Sequence, residues 1–383
     1  MHCAHGDLPR PVPQSVVKGL VLLRGCFRIL FLYDVAEAFD QQKLGVLLGP
    51  LAAPVRHVFP RRTPQHVRFE QTPVVELAEP LNLSSGEHVT CSIKYYEFAV
   101  VVVQVEVPCE GDWNTLRAQA ARWIDDDVLR TYARELAERH LEHVSAAVIR
   151  PNQNWLQEEY LIINVNEIRT PDGEASIASD LLATHGQEIA QLIRGELAPL
   201  SPKVSEEILE TSISYFPTDL VVVGSSAAFV YDRSEDAAAT GQVLEYAKMQ
   251  LLEARYYDSL MSRLLSEVYD VLEEKRNFLL RRWTLPRDAK RFNTIRLDVM
   301  ELTERIDNAI KFVSDVYYAR VYRLAADRVG LPEYRTLVDE KLRTVGELYG
   351  FMVDEFNEAR SFVLEVAITI LALLDVIFLL RGK

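Results

Sequence analysis

The residues from Ser361 to Leu380 constrain this chain more than any other stretch. They read SFVLEVAITILALLDVIFLL, and Glu365 and Asp375 are their only charges. Twenty such residues in a helix span about 30 Å, the thickness of a bilayer's hydrocarbon core. The run predicts a C-terminal transmembrane helix over 361–380, that is, a tail anchor. A carboxylate in mid-span costs about 2.5–3.5 kcal/mol. The uncharged stretches Val366–Leu374 and Val376–Leu380 can outweigh that cost. On this reading Glu365 and Asp375 are intramembrane acids, with Glu365 near the interface and Asp375 facing lipid or a partner helix. The competing reading is a buried helix of a bundle.

A heptad seam leads into this run. Val338, Leu342, Val345, Tyr349, Met352, Phe356, Ala359, Val363, Val366, Ile370, Leu373, Ile377 and Leu380 alternate spacings of four and three without a break. That is a coiled-coil pattern. A second seam runs from Ile295 through Val299, Leu302, Ile306, Ala309 and Val313 to Val316. A third, weaker one runs from Leu244 to Leu279 and includes Asp258 and Lys275. Gly330-Leu331-Pro332 separates the last two helices, with Gly as a C-cap and Pro in the next first turn. The expectation is a helical coiled-coil region over 237–360, closed within one chain or between copies.

Residues 275–296 carry a strong local charge. They hold eight bases, Lys275, Arg276, Arg281, Arg282, Arg287, Lys290, Arg291 and Arg296, against Asp288. Trp283 and Phe292 are interleaved. The whole chain has a net charge of −14, so general nucleic-acid binding is disfavoured. A hairpin folded at Gly330-Leu331 sets residue 300 beside residue 362, where the apolar run begins. The basic corner, with Trp283, is therefore expected to meet anionic headgroups, at about 1 kcal/mol per base. Single-stranded nucleic acid or a ribosomal contact is the rival occupant, and a solvated turn is the bland one. The Lys/Arg excess keeps the bulk of the chain on the cytoplasmic or matrix side.

The N-terminal half reads differently. Residues 1–15 have no period and form a loose lead-in, and 16–232 read as an α+β domain with a possible subdivision near 199–202. Val16 to Phe31 is apolar but interrupted by Lys18, Arg24 and Arg28, which suits two strands broken at Gly19 and Gly25 and not a signal peptide. Ile93–Val107 is the clearest strand signal, bent or split around Glu97. Tyr160–Ile168 and Leu220–Asp232 are further strands, the latter broken at Gly224. Helices are expected at 34–48, 113–143 and 175–196, with Asp112 as a cap. The fold class is thus α+β: an N-terminal mixed α/β domain, a long-helix coiled-coil bundle, and a C-terminal transmembrane helix.

No reaction is visible. The sequence contains no GxGxxG, no GxxxxGK[ST] and no GxSxG. Cys3, Cys26, Cys91 and Cys109 are far apart and form no CxxC, which excludes a Cys-rich zinc site and a disulfide framework. His140 and His143 lie three apart on a helix. With Glu138 and Glu142 beside them they read as an exposed charged face, as does Asp125-Asp126-Asp127. No catalytic residue, cofactor or metal is assigned.

From Ala228-Phe229-Val230-Tyr231-Asp232 through Arg296-Leu297-Asp298, Asp339-Glu340-Lys341-Leu342 and Asp354-Glu355-Phe356-Asn357-Glu358-Ala359-Arg360, the chain resembles the "required for meiotic nuclear division" (sporulation, YagE-like) family over 215–383. The resemblance implies an N-terminal α+β region, a helical C-terminal region, a terminal membrane helix and no established enzyme activity. Its mitochondrial members are linked to anchoring the translation machinery. Together these readings predict a tail-anchored scaffold that presents an α+β domain at the membrane surface, with anionic lipids and a protein partner bound and homo-oligomers possible. The alternatives are an enzyme or ligand sensor with its site in the α+β domain, or a nucleic-acid or ribosome tether through 275–296.

Overall fold

The computed structural model describes residues 21–49, 53–54, 73–82, 88–169, 177–232, 236–273 and 316–381, with 294, 297 and 300 singly. Among these, nine strands form one sheet. In chain order they are β1 (Leu22–Phe39), β2 (Ala53–Pro54), β3 (Val74–Asn82), β4 (His88–Tyr95), β5 (Val100–Gly111), β6 (Val148–Arg169), β7 (Ser212–Ile213), β8 (Leu220–Val223) and β9 (Ala227–Tyr231). The spatial order is β2-β3-β4-β5-β1-β6-β9-β8-β7. Every described pairing is antiparallel except β6 with β9. The outermost strands β2 and β7 have two residues each, and β2 pairs with Val74 and Val75 of β3.

The helices are α1 (Gln41–Leu48), α2 (Trp113–Trp123), α3 (Asp127–His143), α4 (Ala178–Arg194), α5 (Pro202–Leu209), α6 (Asp236–Glu273), α7 (Val316–Arg328) and α8 (Leu331–Arg381). Alternation along the strands sends side chains to two faces. Phe27, Phe31, Val103, Ile163 and Phe229 share one apolar core with Leu116, Leu129 and Ile189 from α2, α3 and α4. Leu30, Leu32, Val102, Tyr160 and Ile162 face the other way, onto Leu244 and Ala247 of α6 and Tyr318 and Val321 of α7. A third cluster joins Leu260, Met261 and Leu264 of α6 to Val338, Val345 and Tyr349 of α8. The heptad seams of α6 and α8 therefore meet each other within one chain.

Several local expectations change. Gly25 does not break the first strand. β1 is one 18-residue strand, and Gly25 lies at a bulge against β6. A Cβ there would sit 1.9 Å from the Asn164 carbonyl oxygen, so only glycine lets the two strands close. The expected helix at 34–48 begins at Gln41, because residues 34–39 remain in β1. The expected helix over 113–143 is two helices. Asp112 caps the first by accepting from the Thr115 N–H at 2.8 Å. Asp126 caps the second by accepting from Val128 and Leu129, so the triple-Asp run starts a helix, while Asp125 and Asp127 beside it stand exposed, as expected of a charge run. The split between β4 and β5 falls at Tyr96–Ala99, as the sequence suggests.

The membrane expectation is corrected. Among the described residues no helix is long and apolar enough to cross a membrane. The run 361–380 is no separate span but the end of the 51-residue α8, whose preceding turns carry Asp339, Glu340, Lys341, Arg343 and Glu347. Glu365 stands exposed within it, as do Leu364, Ile368 and Leu371. The structure therefore does not support the transmembrane helix, the tail-anchored scaffold or the single-pass localisation expected from that run. With them goes the premise that made Glu365 and Asp375 intramembrane acids. Asp375 lies in α8, and its side chain is outside the described residues.

Candidate functional site

The α6 side of the sheet is only partly apolar. Toward the β3–β4–β5 end, the positions facing α6 turn polar: Thr90, Ser92 and Lys94 on β4, Gln104 and Glu106 on β5, Arg28 on β1. Between them and the first turns of α6 lies a cavity of about 290 Å³. Val75 and Leu77 of β3 and Ile162 of β6 supply its apolar wall, and Ala238, Gly241, Gln242 and Glu245 its roof. The size is near the lower end of the roughly 300–1,000 Å³ of small-molecule sites.

Two ion pairs line the cavity, and they differ in access. Lys94 Nζ donates to Glu245 Oε2 at 2.5 Å, and Tyr96 OH donates to Glu245 Oε1 at 2.8 Å. Burial, then the neighbouring Glu245, push the Tyr96 phenol well above its ordinary value, so it stays a donor. The side chains of Lys94 and Glu245 are 14% and 3% exposed. This pair is closed and fastens α6 to β4. The second pair is open: Arg28 Nε lies 3.2 Å from Glu106 Oε1, with side chains 20% and 38% exposed. Gln104 Nε2 donates to the same Glu106 oxygen at 2.8 Å. Arg28 Nε nevertheless lacks hydrogen-bond geometry to any described partner, as does the buried Oε1 of Gln242. Gly241 makes room for the guanidinium, since a Cβ there would stand 3.0 Å from Arg28 Nη1.

Further along α6 a second polar contact continues the attachment. Lys248 Nζ donates to Glu158 Oε2 of β6 at 2.6 Å, and Arg255 also pairs with Glu158. On the opposite face, Glu76 Oε2 accepts from Tyr95 OH at 3.1 Å and lies 3.0 Å from His140 Nδ1. His140 thus joins α3 to β3 and is not part of a free charged face. Among the described residues no His/Cys/Asp/Glu group could hold a metal ion. Burial pushes up the thiols of Cys26, Cys91 and Cys109, the last to about 12, which keeps them protonated.

Of the membrane-surface and intramembrane residues singled out in sequence, only Glu365 has a described side chain, and it lies on α8 and does not line the cavity. Lys275, Arg276, Arg281, Arg282, Trp283, Arg287, Lys290, Arg291 and Arg296 lie outside the described residues. The residues that do line the cavity were missed, yet a signal exists. Arg28 interrupts an apolar run, and Gln104 and Glu106 follow at period two on a strand otherwise rich in Val.

Residues 24–237, more than half of the chain, match the family described as the N-terminal domain of the uncharacterized protein MJ0711. The chain belongs to this family. One relative, uncharacterized protein MJ0711 of Methanocaldococcus jannaschii, is 21% identical over 246 residues, covering 64% of this chain and 73% of its own. No solved structure matches. This assignment corrects the resemblance to the "required for meiotic nuclear division" family. The cues behind that resemblance were a strand followed by long charged helices, an arrangement many folds share. The family match ends at residue 237, where α6 begins. The cavity lies across that boundary, with its strands inside the matched domain and its helical roof beyond it.

Proposed function

We propose that the protein is a small-molecule-binding module whose ligand sits between the sheet and the start of α6. The observation that carries this reading is the cavity itself, about 290 Å³ between the sheet and α6, with the open Arg28–Glu106 pair on its polar wall and Val75, Leu77 and Ile162 on its apolar one. A pocket that sets a few charged and polar groups against an apolar wall is the usual lining of a small-molecule site. The helix that roofs the cavity also packs on α8, so occupancy and the position of the helical arm share one rigid element. No group here is poised as an activated nucleophile, which favours binding over catalysis.

The test is a thermal-melt screen of the full chain against polar metabolites, run beside Thr90→Trp. Thr90 is exposed at the rim, so the indole fills the mouth without entering the core. A ligand at a hundredfold excess over its Kd stabilises by about 2.7 kcal/mol. The expected result is at least one compound that raises the melting temperature of the parent and not of the variant. A library with no such compound overturns the reading.

A further inference from the structure

We infer that the exposed end of α8 is a self-association surface, on which three or more copies of this chain pack their α8 ends into one helical bundle. The surface is remote from the cavity and does not depend on the binding reading.

The apolar seam of α8 is covered over half its length. Val338, Val345 and Tyr349 are buried with Leu260, Met261 and Leu264 of α6. The same seam continues in step through Val366, Ile370, Leu373 and Ile377, which are 40, 53, 57 and 46% exposed. The α6 seam ends where this bare half begins. Lys341 Nζ donates to Asp258 and Ser262 of α6, which are 83 and 79 residues away in sequence. Leu331 shares a cluster with Leu244 and Leu252, and Val345 one with Leu264, so the two helices run in the same direction. In that register Leu279, the last member of the α6 seam in sequence, corresponds to 358–362. Arg281, Arg282 and Pro286 follow it and continue no seam.

The pattern on the bare half says what covers it. Seven large apolar side chains are exposed between Leu364 and Leu374, and a contiguous patch of this kind marks an interaction site. At roughly 100° per residue, Val366, Ile370, Leu373 and Ile377 form one stripe. Leu364, Ile368 and Leu371 form a second on the far side, with Leu374 between the two. The apolar arc is roughly 220°, too wide for the single stripe of a two-helix contact. The remaining arc holds Glu365, Thr369 and Ala372, all exposed. Lipid would favour an apolar surface all round and imposes no heptad. A bundle of like helices needs this heptad, this wide arc and a narrow polar outer face. By spacing, Asp375 falls on the second stripe, and one polar core position can fix register and copy number.

The experiment is sedimentation velocity with light scattering on the full chain in detergent-free buffer, over a wide concentration range. Flotation with phosphatidylcholine–phosphatidylglycerol vesicles runs beside it. The expected result is one species of three or more copies that does not float. Val366→Glu with Ile370→Glu, and separately Ile368→Glu with Leu371→Glu, should each weaken association at least about tenfold. Val366→Leu with Ile370→Leu should keep it, which separates a lost contact from a folding defect. A monomeric or dimeric parent overturns the inference, as does an assembly that neither Glu pair disturbs. A mass that climbs with concentration without a plateau is aggregation and overturns it too. A parent that floats with the vesicles assigns the surface to lipid instead.

Discussion

The two faces of the sheet are covered in different ways. The face under α2, α3 and α4 is apolar almost throughout, with Trp113, Trp123, Phe27 and Phe229 packed together. The face under α6 is apolar near its centre but relies on ion pairs at Lys94–Glu245 and Lys248–Glu158. Apolar burial supplies stability without direction. A buried ion pair adds little net stability, because desolvation offsets its attraction, yet it strongly disfavours a misplaced helix. The first face holds the domain together, and the second fixes where α6 lies and leaves a gap beside it.

Mutations should separate these roles. Phe229→Ala, on the apolar face and fully buried, should destabilise by about 3–5 kcal/mol in urea unfolding. A loss under 1 kcal/mol would mean that this face does not carry the fold. Glu245→Ala strips both Lys94 and Tyr96 of their acceptor and should cost about 3 kcal/mol. The double change Lys94→Met, Glu245→Leu should recover most of that loss. If it does not, the pair supplies stability in its own right and the contrast between faces fails.

A third test uses pH. Burial raises the Asp34 carboxyl from 3.8 to about 7, against the lowering effect of its hydrogen bond from Asn152. A raised acid binds its proton more tightly when folded, so Asp34 reduces stability progressively as pH rises from about 4 to about 7. Asp34→Asn should leave stability near pH 4 unchanged and add on the order of 2 kcal/mol at pH 8. An equal effect at both pH values would show that Asp34 is already ionised at pH 4. The smallest effect is expected at a cap. Asp112→Ala should cost about 1 kcal/mol, read as a drop in melting temperature, because Thr115 loses its acceptor.

Local features were the most legible in sequence. The Val-rich strands, the Asp112 cap and the break at Gly224 all follow from period and turn chemistry acting over a few residues. The apolar tail reads as a span only in isolation, because the helix that contains it starts at Leu331 and carries charged turns before it. The cavity was invisible for a different reason. Arg28, Lys94, Glu106 and Gln242 come from four elements, and each alone reads as an ordinary polar position on a half-buried strand or helix. Their meaning depends on β1 inserting between β5 and β6, a pairing that no local pattern encodes. Gly25 reads as a breaker in sequence because its close neighbour, the Asn164 carbonyl, is distant along the chain.

That insertion also governs how the molecule is assembled. β1 is made first, yet its neighbours on either side come much later, since Leu23 pairs with Gly111 and Leu22 with Arg169. Contacts between such remote positions close slowly. A nascent chain therefore emerges with its middle strand bare on both edges; β5 can cover one edge once residue 111 is made, and the other stays open until β6 has left the ribosome.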